Sequence, residues 1–128
     1  MLRILMGDEI VIGWIGVIIS IVSVVISVKT YYDNLNKQRK IDTLNVLSSI
    51  RVEYPSFNML SNERKLEYMQ KMEFLALGVH EGIYDIDIVK KMSRKRLLSQ
   101  YEEVVAKYFN ENNIKEYSEY RNLMEEIK

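Results

Sequence analysis

His80 is the chain's only histidine, and Glu81 stands beside it. Such a pair is where a metal site could begin. There is no cysteine anywhere, so the remaining ligands would have to be carboxylates, and thiolate and disulfide chemistry are excluded. A partly exposed histidine at a helix end explains the residue more simply. Asp85 and Asp87 bring two carboxylates close together, yet helix capping and solvation account for them without acid–base chemistry. No glycine-rich phosphate loop, nucleophile elbow or catalytic pairing can be picked out. The residues therefore predict no catalytic, cofactor-binding or metal site, and no enzyme.

Lys90, Lys91, Arg94, Lys95 and Arg96 place five cations in seven residues with no acid among them. The flanking stretches, 55–89 and 97–128, are each net negative, so the run is a local patch on a chain of zero net charge. Anionic lipid headgroups would suit it, at about 1 kcal/mol per cation near a surface. Nucleic-acid phosphate is the other anion to weigh. The run lacks the aromatic stacking and groove-reading context of sequence-specific binding, which disfavours a nucleic-acid partner. The plainer alternative is a solvated helix start paired with neighbouring acids.

A third pattern lies nearer the N-terminus. Gly13, Gly16, Ser20, Ser23 and Ser27 are spaced 3, 4, 3, 4, so five small residues share one helical seam with a seven-residue repeat. In lipid no hydrophobic drive joins helices, and close backbone approach at small residues carries association instead. The spacing implies a left-handed crossing and a homo-oligomer. Two alternatives stand beside it: a monomeric anchor whose small residues are incidental, and a higher oligomer in which the serines, with Thr30 next in register, line a narrow wet pore.

The element carrying that seam must itself be placed. Nineteen residues, Ile10 to Val28, hold no ionisable side chain. As a helix they reach about 28 Å, the thickness of a bilayer's hydrocarbon core. Most are Ile or Val, but a strand of that length is implausible, and only a helix satisfies its own backbone in lipid. Trp14 and Tyr31-Tyr32 sit near the two ends, where amphipathic rings favour the interface. A cleaved signal peptide would want a basic start and a shorter apolar run; here Asp8 and Glu9 come first. Lys29, Lys37, Arg39 and Lys40 follow the span, so the positive-inside rule puts the C-terminal part in the cytoplasm.

The expected organisation is an all-α chain. Residues 1–9 form a short extracytoplasmic tail, 10–28 a single transmembrane helix, 29–54 a juxtamembrane helix continuing it, and 55–128 a small cytoplasmic helical bundle at the inner membrane. Ile41, Leu44, Leu47 and Ile50 give the juxtamembrane helix its stripe, and Pro55 ends it. A second helix is expected over about 62–80, with Leu66, Met69, Met72, Ala76 and Val79 inward and Phe74, Leu75 and Leu77 widening the apolar face. Gly82 suits a left-handed C-terminal residue. Asp85 is expected to cap a short helix, Ser93 the next, and Asn113 with Glu116 to form a capping box for the last.

One stretch resembles a known family. Met72-Glu-Phe-Leu-Ala-Leu-Gly-Val-His-Glu-Gly-Ile-Tyr-Asp85, followed by Tyr117-x-x-Tyr120, is similar to small single-span bacterial and phage membrane proteins grouped only as a domain of unknown function. Phe74, Ala76, Gly78, Gly82, Ile83, Tyr84 and Asp85 carry the likeness. It implies a helical cytoplasmic domain, no established chemistry, and a setting in prophage or anti-phage defence. Together these readings predict a self-associating, membrane-anchored helical interaction module with the lipid bilayer, itself and a cytoplasmic protein as partners. An oligomeric effector forming a small pore, gated by its cytoplasmic domain, is the alternative.

Overall fold

The computed structural model describes residues 2–128, with side chains from residue 7 onward. Every regular element among them is helical, as the sequence predicts. The chain divides into two compact units, 1–37 and 38–128. The first helix, α1 (Leu2–Glu53), contributes to both. No glycine or proline interrupts it after Gly16, and Pro55 follows its end.

In the first unit the helix keeps nothing inside. Every residue from Ile10 to Val28 is exposed, with Ile12 at 68 % and Trp14 at 66 %. Among the described residues this is the one helix long and apolar enough to cross a membrane, and none of its apolar window is buried.

In the second unit apolar side chains turn inward. Thr43, Leu47 and Ile50 form the buried face of α1, and Tyr54 continues it, whereas Ile41, expected on the same stripe, is exposed. Thr43 is buried because its hydroxyl is fully used: it donates to Arg39 O and accepts the backbone N–H of Asp85. Glu53 closes the helix with an ion pair to Lys71 at 2.5 Å, which holds its carboxyl below the usual range. A single 3₁₀ turn (Phe57–Met59) then seats Phe57 against the rings of Tyr68 and Tyr108.

Helix α2 (Asn62–His80) begins as expected, its first turn capped by the Ser61 hydroxyl. It is the centre of the unit: Tyr68, Met69, Met72, Leu75, Ala76 and Val79 are buried. Phe74 and Leu77 are not; they stay 70 % and 41 % exposed, so only Leu75 of the three widening residues joins the core. Two residues beyond the helix, Gly82 takes a φ of +78° and turns the chain. The amides of Ile83 and Tyr84 both return to Gly78 O. That fold-back lays the Tyr84 ring on Gly78, where a Cβ would collide with it.

Asp85 caps α3 (Ile86–Gln100), its side chain accepting from Asp87 N. Ser93 caps nothing, contrary to expectation. It lies inside α3, because no glycine or proline between Ile86 and Glu111 gives the helix a reason to stop. A π turn (Tyr101–Val105) joins α3 directly to α4 (Ala106–Glu111). The inward residues Leu97, Tyr101, Val105 and Phe109 explain it. A strict spacing of four drifts about 40° per step on an α-helix, and one wider turn keeps the row facing the core.

The chain leaves the helix after Glu111, but the capping box expected of Asn113 and Glu116 does not form. Asn113 and Tyr117 both take positive φ, and α5 starts only at Ser118 (Ser118–Ile127). Its first amides are capped from another helix: Glu119 N donates to Glu73 Oε1 of α2 at 2.7 Å. Tyr120, Leu123, Met124 and Ile127 then pack into the core. Burial raises the hydroxyl pKa of Tyr68 and lifts that of Tyr120 well above its ordinary value.

Candidate functional site

The five seam residues lie on α1 and all are exposed. A Cβ added at Gly13 or Gly16 would meet nothing within 4 Å, so neither glycine is required by a contact inside the described chain. Ser20 donates its hydroxyl to Gly16 O at 2.9 Å. A hydroxyl bonded one turn back is satisfied without water, which lets the surface stay dry.

The basic run falls on α3. Lys90, Lys91, Arg94 and Lys95 are exposed, and Arg96 is half-buried. They border one open groove with Met92, and Glu102 and Glu103 line it too. No ion pair among the described residues involves any of the five cations, so the pairing with neighbouring acids that would explain them away is not formed. Arg96 differs from the others. It also borders the small hollow of about 20 Å³ between Leu47, Tyr54, Tyr68, Leu97 and Gln100, inside the compact unit.

The sequence placed His80 at a helix end, partly exposed, and its side chain is 24 % exposed at the last residue of α2. Its partners were not legible. Nδ1 is bonded to the Glu119 carboxylate, and Nε2 lies 3.1 Å from Glu126 Oε1. Only the doubly protonated ring can donate at both nitrogens. The bond to Glu119 raises the His80 pKa, with Glu126 adding to it against a smaller desolvation. The C-terminal end of α2 favours the same positive charge. His80 thus clasps the first and last turns of α5. Glu119 and Glu126 are 39 and 46 residues away, beyond any local spacing rule.

The two carboxylates take opposite ring nitrogens, and among the described residues no group of three or more His, Cys, Asp or Glu is placed to hold an ion. Asp85 is spent on its cap. What the arrangement offers chemically is therefore two surfaces, an exposed apolar helix with a small-residue seam and an unpaired cationic face on α3. No protein-family model matches the chain, and no match is found among the curated proteins or the solved structures.

Proposed function

We propose that this chain is a membrane-anchored helical interaction module. It crosses the inner membrane once through Ile10–Val28 and carries a cytoplasmic bundle that docks a partner protein at the membrane's inner face. One observation carries the reading: the apolar window of α1 buries nothing, although the same chain builds an ordinary core a few turns later. A run of exposed Ile and Val in water would be a severe aggregation liability; in a bilayer it is solvated. The cations at Lys29, Lys37, Arg39 and Lys40 support the cytoplasmic placement of the bundle. The α3 cations would hold anionic headgroups or phosphate.

Copies of the module associate along Gly13, Gly16, Ser20, Ser23 and Ser27. The internally bonded Ser20 hydroxyl supports a dry helix contact over a hydrated pore. Replacing Gly16 and Ser20 by Leu tests this, because the added side chains push the backbones apart. Dimer measured by energy transfer in membranes should fall, while the off-seam pair Ile18→Leu and Ile19→Leu leaves it intact. Equal losses at both pairs would remove the seam from the account.

A further inference from the structure

Within the compact unit, α1 has a second face that nothing covers. Its inward residues Thr43, Leu47, Ile50 and Tyr54 are spaced 4, 3, 4. Two positions before each stand Ile41, Asn45, Ser48 and Val52, about 200° around a helix of 3.6 residues per turn. All four are exposed, Ile41 at 45 % and Val52 at 79 %. No charge interrupts this outer stripe, although the stretch from Lys29 to Glu53 carries eight charged side chains, both ends included.

The register of the stripe is informative. Ile41 and Ser48 stand on a strict seven-residue line that also runs through Gly13, Ser20, Ser27 and Asn34, without a charge at any point. The companion line passes from Gly16, Ser23 and Thr30 to Gln38, Asn45 and Val52 with one eight-residue gap, so two four-residue steps meet at Asn34, as in a stutter that locally unwinds a coiled coil.

We infer that Ile41, Asn45, Ser48 and Val52 form a self-association surface beyond the membrane, where α1 of a second copy packs in parallel as a short coiled coil. The inference rests on the self-association proposed above. Charge identifies the occupant. In a parallel symmetric contact each stripe residue meets its own image, so a charge on the stripe would repel itself. A different partner could answer charge with opposite charge, and its contact surface would have no reason to shed all of it. Asn45 pairs with its image and fixes register, as a single polar position does in coiled coils.

The chain's lack of cysteine makes the test clean. Ser48→Cys, Asn45→Cys, Ser20→Cys, Lys40→Cys and Asp33→Cys are made singly in the full chain, and isolated membranes are mildly oxidised. Disulfide-linked dimer should form at Ser48 and Asn45 severalfold more than at the off-stripe Lys40 and Asp33, with Ser20 reporting the seam inside the span. If Ser20 couples while Ser48 and Asn45 do no better than Lys40, the continuation is overturned and the span seam stands. If no position couples, both are overturned. Coupling at Ser48 and Asn45 without Ser20 keeps the stripe and removes the seam.

Discussion

Two stretches of one helix solve the same problem in opposite ways. Ile10–Val28 is apolar on every side and buries nothing. Residues 38–53 bury Leu47 and Ile50 along one side and carry their charges on the flanks of that face. The second stretch gathers other helices to make an interior of its own. The first buries none of its apolar window, and on the proposed reading a bilayer takes the place of that interior.

The sharpest way to break the contrast is to make the first stretch resemble the second. Ile18→Arg together with Val22→Arg puts two charges mid-window, each costing about 3 kcal/mol on the insertion scale. The double variant should leave the membrane pellet and aggregate, whereas Ile18→Leu with Val22→Leu should fractionate as the parent does. Retention of the arginine pair in the membrane would mean that the run is not the anchor.

The complementary change is Leu123→Ala in α5, a fully buried side chain. It should lower the bundle's stability by about 3 kcal/mol, read from urea denaturation of the full chain in detergent, and leave membrane attachment unchanged. Ile19→Ala, in the exposed window, should leave both readouts near the parent value.

Much of this was readable from sequence because it was local. The charge-free nineteen residues, the boundaries of α2, Gly82 with its positive φ and the Asp85 cap all follow from neighbours within a few positions. What failed was mostly long-range. Ser93 is the exception: it had the residue type of a cap, but no glycine or proline near it stops the helix. Asn113 and Glu116 had the capping-box spacing, yet the acceptor at the start of α5 comes from Glu73, 46 positions earlier. The π turn is visible only once Leu97, Tyr101, Val105 and Phe109 are known to share one core. Of the candidate sites, both surfaces were legible as patterns, since small-residue spacing and charge runs are one-dimensional. The His80 clasp was not.

That clasp gives the smallest expected effect and a defined sign. The folded-state pKa of His80 is raised, so its contribution is fully present below the ordinary histidine value of about 6.5 and is lost as pH rises through the folded value. The facing groups are Glu119 and Glu126 of α5, with Glu73 of α2 bonded to the Glu119 amide. The urea midpoint should therefore decline as pH rises above the ordinary histidine value, below the range where the buried tyrosines titrate. His80→Gln should flatten that slope. A wild-type midpoint that stays level or climbs over the same range would show that the clasp does not hold α5.

The central claim is that α1 crosses a bilayer once and leaves the bundle inside, and cysteine labelling tests it most directly. Asp8→Cys and Lys128→Cys, made singly, are exposed to a membrane-impermeant maleimide in intact cells and again after permeabilisation, with alkaline carbonate extraction alongside. The account predicts that Asp8→Cys labels in intact cells, that Lys128→Cys labels only after permeabilisation, and that both variants stay in the carbonate-resistant pellet. Labelling of Lys128→Cys in intact cells, or release of the protein by carbonate, would contradict it.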